Sequence, residues 1–213
     1  QGKRILITAG PTYEKIDPVR FIGNYSTGKM GYALAEVCAE MGADVHLVSG
    51  PVQMQTKHLN ISRQDVESAQ EMYDAAVETY PNCDAAILCA AVADFTPEKV
   101  ADEKVKREGD EFLLKLKPTK DIAAALGSLK KEGQRLVGFA LETNNEEEHA
   151  REKLARKNLD FIVLNSLNDK GAGFSYDTNK VTFISSDEIK TFPLKNKKEV
   201  AQDIVNKLCE FFD

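Results

Sequence analysis

Two hydrophobic periods alternate along this chain. Residues 4–8 form a short apolar run that predicts a buried strand. From Lys29 onward, Met30, Leu34, Val37, Cys38 and Met41 recur at helical spacing, and Gly42 stands where such a helix would stop. Residues 44–49 predict a second strand, 58–62 a short third, 66–80 a helix and 85–89 a fourth, wholly apolar strand. A fifth strand is expected at 136–140, a helix at 146–157 and a sixth strand at 161–164. Residues 180–185 and 189–194 read as a hairpin around Ser186-Asp187-Glu188, and 200–211 as a closing helix.

Strands alternating with helices imply right-handed crossovers and a mostly parallel sheet. The expected class is therefore α/β: a Rossmann-like, doubly wound, mostly parallel sheet with an antiparallel edge hairpin. Residues 1–213 read as a single domain, without internal repeats or low-complexity tracts.

Two segments break the rhythm. Residues 9–28 separate the first strand from the first helix, where a connection of roughly 2–6 residues is usual. So long a loop, ending in glycine at a helix start, reads as a binding device. Residues 95–120 lack a clean period and carry Lys99, Lys104, Lys106, Arg107, Lys115, Lys117 and Lys120. With a short strand at 112–116 they could form a basic flap; a merely solvated loop is the competing reading.

Composition narrows the function classes. The 213 residues are 42% hydrophobic and 29% charged, with a net charge of −6. An acidic chain of this kind argues against general nucleic-acid binding. No apolar run approaches the roughly 20 residues of a membrane span, and no leader is recognisable, so a cytoplasmic location is expected. The start at Gln1 rather than Met suits either a fragment or a processed form. Cys38, Cys83, Cys89 and Cys209 form no Cys-x-x-Cys pair and read as reduced thiols. His46, His58 and His149 lack ligand spacing, so no structural metal site is expected.

In a doubly wound sheet, ligands bind beyond the carboxyl ends of the strands, where strand order reverses. Residues 9–28, 90–95, 139–145 and 165 onward leave those ends here and are rich in small or polar residues. Known phosphate motifs fit incompletely. Gly23-Asn-Tyr-Ser-Thr-Gly28-Lys29 resembles a P-loop, but Met30 stands where Ser or Thr would bind magnesium. The Gly-x-Gly-x-x-Gly fingerprint is absent. Tyr25 with Lys29, and Tyr176 with Lys180, mimic the Tyr/Lys pair of short-chain dehydrogenases, which requires a mid-helix position. Ser26-Thr27-Gly28 opens a helix, and a helix N-terminus favours phosphate; an ordinary Ser/Thr cap is the alternative. In the 146–157 helix Arg151 and Arg156 each have a glutamate four residues earlier, whereas Lys153 and Lys157 do not. Two such lysines on one face suggest a polyphosphate, or simply a solvated face.

Seven ordered blocks share a further likeness: Ile7-Thr-Ala-Gly-Pro-Thr12, Asp17-Pro-Val-Arg20, Asn24-Tyr-Ser-Thr-Gly-Lys-Met-Gly31, Ala90-Ala-Val-Ala-Asp94, Lys104-Val-Lys106, Gly138-Phe-Ala-Leu-Glu-Thr-Asn144 and Lys157-Asn-Leu-Asp160. Over essentially its whole length the chain resembles phosphopantothenate–cysteine ligase, the bacterial synthetase domain of the coenzyme A pathway. That resemblance implies ligation in two steps. The 4'-phosphopantothenate carboxylate attacks the α-phosphate of CTP, giving an acyl-cytidylate and pyrophosphate. The amine of L-cysteine then attacks the acyl carbon and CMP leaves. Such chemistry needs positioning and charge neutralisation rather than a nucleophile.

Carried over by position, Asn24 matches the asparagine that contacts the acyl-cytidylate, and Lys104 the flap lysine that neutralises the α-phosphate. Asp94, Phe139, Lys153 and Lys157 match nucleotide-binding positions. Ala90 and Ala91 would offer backbone groups to the nucleotide or acyl intermediate, and Arg20 would meet the pantothenate phosphate. Thr119, Lys120, Asp121 and Ile122 fall on a nucleotide-contacting turn of the Asn-Pro-Asp-Ile type, with Lys120 in place of proline. The family also implies a homodimer, often fused to a flavin-dependent decarboxylase, and Mg2+ carried by the triphosphate with Asp94 as a candidate ligand. The rival readings are an NAD(P)-binding short-chain dehydrogenase-like protein and a non-catalytic nucleotide sensor.

Overall fold

The computed structural model describes residues 1–107, 109, 111–142, 146–166 and 176–212. Residues 143–145, the end of the expected 139–145 segment, and 167–175, within the segment from 165 onward, lie outside the described residues. Strand β1 (Arg4–Ala9) is buried from Ile5 onward. Its alternating side chains serve both faces: Ile5 and Ile7 join one core cluster and Leu6 another. The long loop that follows carries a small antiparallel ladder, β2 (Glu14–Lys15) with β3 (Phe21–Ile22). Helix α1 (Lys29–Glu40) buries Met30, Leu34, Val37 and Cys38 of the expected stripe, together with Tyr32 and Ala35.

Next come β4 (Asp44–Ser49), β5 (Ile61–Asp65), α2 (Ala69–Thr79) and β6 (Ala85–Leu88). An antiparallel pair, β7 (Phe95–Pro97) and β8 (Leu116–Pro118), brackets the lysine-rich segment. Helix α3 (Ile122–Leu129), β9 (Arg135–Glu142), α4 (Glu146–Arg156) and β10 (Phe161–Ser166) follow. The chain continues through β11 (Thr178–Asn179), β12 (Val181–Ser185), β13 (Ile189–Thr191), β14 (Lys195–Asn196) and α5 (Lys197–Cys209).

Eight strands form one sheet in the order β13-β12-β10-β9-β6-β1-β4-β5. Ile5 lies beside Val45 on one side and Ala85 on the other, both in parallel register. Within this sheet β10, β9, β6, β1, β4 and β5 all run parallel, while β12 and β13 add the antiparallel edge. The chain leaves β1 for β4 and β5, then returns to the opposite side as β6. Strand order therefore reverses between β1 and β6, and the crevice lies above their carboxyl ends. Helices α1 and α5 cover one face of the sheet through Leu34, Val37, Val200 and Ile204. On the other, α2 and α3 pack Met72, Ala76, Ile122 and Leu126 against Leu6, Ala86 and Leu136. Complete burial of such an aliphatic side chain contributes about 1.5–3 kcal/mol, more than one helix cap at about 1 kcal/mol. The sheet interior thus holds the fold, and the caps set where helices begin.

Those caps are visible. Ser68 with Glu71 forms a capping box at α2, and Asn196 with Glu199 forms another at α5. They correct the expected helix starts at Val66 and Val200. Strand three also shifts, from 58–62 to Ile61–Asp65, because Ile61 N donates to His58 O and closes a turn that leaves Leu59 exposed. The strand expected at 112–116 is displaced too: Phe112 and Leu113 are exposed, and the ladder forms at Leu116–Pro118 against Phe95. Helix α3 had no counterpart among the expected elements; the Asp121 side chain starts it by accepting from Ala124 N at 3.0 Å.

Helix α1 approaches the sheet very closely. A Cβ on Gly31 would stand 2.5 Å from the Ala9 Cβ, so only glycine fits without movement. Gly28, the N-cap, has φ +77 and makes no side-chain cap hydrogen bond. The ordinary Ser/Thr cap considered above is therefore not what starts α1.

Candidate active site at the strand-order reversal

The loops after β1 and β6 meet above the crevice and are laced together. Cys89 N donates to Thr8 O at 3.2 Å, and Ala91 N to Gly10 O at 2.9 Å. The Thr8 hydroxyl accepts from Ala90 N, and that of Thr12 from Ala93 N. From the far side, the Thr119 hydroxyl donates to Ala93 O at 2.7 Å, and Thr119 N to Asp94 O at 2.9 Å. Residues 90–94 are thus small and carry few side-chain atoms, yet their backbone is fixed from both sides.

Two cavities adjoin this backbone. The first, of about 340 Å3, is lined by Thr119, Lys120, Asp121, Ile122 and Lys157, among others. The second, of about 410 Å3, holds Asn24, the Gly28 start of α1, Ala91 and Lys197. Ala90, Val92, Asp94, Phe139 and Lys153 line both and form the wall between them. Most expected site residues therefore fall on one continuous surface. Arg20 and Lys104 line neither cavity; Lys104 is exposed on the lysine-rich segment.

Local geometry revises several expectations. Asn24 is held at both ends: its Nδ2 donates to Ala91 O at 2.5 Å, and its Oδ1 accepts from Ser26 N at 3.0 Å. Ala91 therefore has both backbone groups engaged within the protein. Its carbonyl retains a second lone pair, but its N–H is committed to Gly10. Lys157 lacks a carboxylate four residues earlier but pairs with the one that caps α3, its Nζ 3.0 Å from Asp121 Oδ2. The carboxyl of Asp121 is pushed up by partial burial, yet the Ala124 amide and Lys157 together hold it below its ordinary range. Both lysines also sit at the end of α4, where a cation suits the helix dipole. Neither Tyr25 with Lys29 nor Tyr176 with Lys180 lies within one helix.

Some cavity residues carried no sequence signal. Lys197, the first residue of α5, is only 8% exposed and reaches the second cavity, where its ammonium donates to Tyr176 O. Burial, followed by the repulsion of Lys29, lowers its pKa from the ordinary lysine value. Asn179 stands beside it, placed by a two-residue ladder too short for periodicity to reveal. Cys89 lines the same cavity, but burial pushes its thiol up to about 12, so it stays protonated and is no nucleophile near neutrality. Among the described residues no cluster of three or more His, Cys, Asp or Glu could hold a metal ion, and no helix is long and apolar enough to cross a membrane.

The strand order and the paired cavities at its reversal place the protein in the Rossmann-like, doubly wound class. Residues 1–211 match the DNA/pantothenate metabolism flavoprotein C-terminal domain, and the chain belongs to that family. A similar curated protein, the coenzyme A biosynthesis bifunctional protein CoaBC of Bacillus subtilis, is 49% identical over 210 residues, covering 98% of this chain and 52% of that protein. A cysteine/cysteine sulfinic acid decarboxylase from an unknown prokaryotic organism is 57% identical over 208 residues, covering 97% of this chain and 58% of that protein. The chain thus spans about half the length of the curated relatives it matches. Among solved structures, the crystal structure of the C-terminal domain of a CoaBC protein is 47% identical, covers 98% of this chain and 94% of its own, and superposes with a TM-score of 0.82.

Proposed function

We propose that this chain is a phosphopantothenate–cysteine ligase domain that activates 4'-phosphopantothenate with CTP and transfers the acyl group to L-cysteine. The observation that carries the reading is the shared wall. Two reactants must meet at one atom, and two cavities divided only by Ala90, Val92, Asp94, Phe139 and Lys153 suit a nucleotide on one side and an acyl substrate on the other. In this reading the first cavity takes the nucleotide, with Thr119, Lys120, Asp121, Ile122 and Lys157 around it. Asn24 in the second stands where its amide can steady the acyl carbonyl as the amine attacks. Lys104 reaches the α-phosphate from the lysine-rich flap, and Arg20 meets the pantothenate phosphate.

Asp94, on the wall of both cavities, is the carboxylate that would hold a magnesium ion arriving with the triphosphate. One or two carboxylates plus substrate phosphates is the usual way this ion is bound. The ion would offset charge on the phosphates. As a homodimer, in the cytoplasm and fused to a flavin-dependent decarboxylase, the chain would supply the ligation step.

The test is pyrophosphate release from the chain supplied with 4'-phosphopantothenate and L-cysteine, comparing CTP with ATP. Release that requires phosphopantothenate and favours CTP is expected. Nucleotide binding without pyrophosphate would leave a sensor, and carbon dioxide from cysteine alone would favour the decarboxylase named among the relatives.

A further inference from the structure

The lysine-rich segment is tied to the long first loop at a buried carboxylate. Asp17 is 1% exposed although it sits in a surface loop. Its Oδ1 accepts from Val19 N at 2.8 Å and Arg20 N at 2.9 Å. Its Oδ2 accepts from Arg20 Nε at 3.0 Å, Arg20 Nη2 at 2.5 Å and Val105 N at 3.1 Å. Arg20 Nη2 then donates to Val105 O at 2.8 Å. Both backbone groups of Val105 are therefore gripped by one ion pair, and Ala101 N adds a bond to Ile16 O at 3.0 Å. Val105 stands between Lys104 and Lys106, and the gripping loop runs on to Asn24.

We propose that Asp17 is a positioning residue: through Arg20 and Val105 it fixes the lysine-rich flap to the first loop and so sets where Lys104 can reach. The inference rests on the ligase reading for the role of Lys104, but the latch itself is a property of the free protein. A buried carboxylate is retained only where its hydrogen bonds are met, and here the flap supplies one of them. The two groups read as acting in separate half-reactions, Lys104 and Asn24, are thereby held on one frame.

Two measurements test it. In limited trypsin digestion of the ligand-free protein, flap cleavage after Lys104, Lys106 and Arg107 should be about tenfold faster in Asp17→Asn, because proteolysis follows the open population. Arg20→Lys should behave alike, since lysine keeps the charge but not the fork, and it decides the question if Asp17→Asn fails to fold. Flap cleavage at the wild-type rate would overturn the latch. In a double-mutant cycle on pyrophosphate release, Asp17→Asn should slow the wild type about tenfold yet add nothing to Lys104→Gln. Multiplying losses would show Asp17 to be merely structural and overturn the positioning role. A wild type that released no pyrophosphate would defeat the ligase reading, and with it the role assigned through Lys104. The digestion would still decide the latch.

Discussion

Asn24 donates its side-chain amide to the backbone carbonyl of Ala91 at 2.5 Å, joining the loop after β1 to the loop after β6 across the strand-order reversal. The bond fixes the amide beside the wall shared by the two cavities. Asn24→Asp would place a carboxylate against that carbonyl and remove the donor. Acyl-cytidylate should still form, while product from cysteine falls about 10²-fold, the loss typical of one donor at a developing oxyanion. Mass spectrometry of the trapped intermediate, alongside product yield, checks this; a normal yield would refute the role.

Lys157 and Asp121 form an ion pair, 3.0 Å apart, on the lining of the first cavity. Lys157→Gln should weaken CTP binding by about tenfold, as expected for loss of a charge-assisted contact. The fold should hardly change, because Asp121 is half-exposed and can be hydrated. Calorimetric titration with CTP and a thermal melt together check both halves. Unchanged affinity would remove Lys157 from the nucleotide site.

Gly31 offers a prediction in which two effects oppose. Alanine normally gains about 1 kcal/mol over glycine within a helix. Here its Cβ would stand 2.5 Å from the Ala9 Cβ and 3.1 Å from the Ala9 Cα, which forces helix and strand apart. Overpacking of this kind costs about 1–3 kcal/mol, so Gly31→Ala should destabilise and Gly31→Val more so. The midpoint of urea unfolding reads the sign directly.

Acid stability should depend on Asp17. Its hydrogen-bonded ion pair with Arg20 holds the carboxyl well below the usual carboxylate range. A depressed carboxyl contributes fully above its unfolded value, about 3.9, and the contribution fades as pH falls below that. The gap in urea midpoint between wild type and Asp17→Asn should therefore be level from about pH 7 to 5 and narrow below about pH 4. Widening on acidification would contradict the assignment.

The sheet and its antiparallel edge were readable because their strands are continuous apolar runs, as in residues 85–88, and because α1 carries a full stripe. What escaped was made by contacts distant in sequence or by very short ladders. Lys157 has no carboxylate four residues earlier in the sequence, which left a polyphosphate or a solvated face as readings; its partner belongs to the start of α3, itself overlooked. Lys197 follows an asparagine cap in an unremarkable polar stretch, and only the return of α5 toward the crevice brings it to the second cavity. The basic segment was recognised by charge, but its attachment through Asp17 depends on a fold-back that no periodicity encodes.

Three of the thiols bear on handling as well as on chemistry. Burial pushes Cys38 and Cys89 up to about 12 and Cys83 up to about 11. Thiol–disulfide exchange needs a thiolate with access to its target. Cys38, Cys83 and Cys89 therefore hold little thiolate near neutrality and should exchange slowly with small thiols and disulfides.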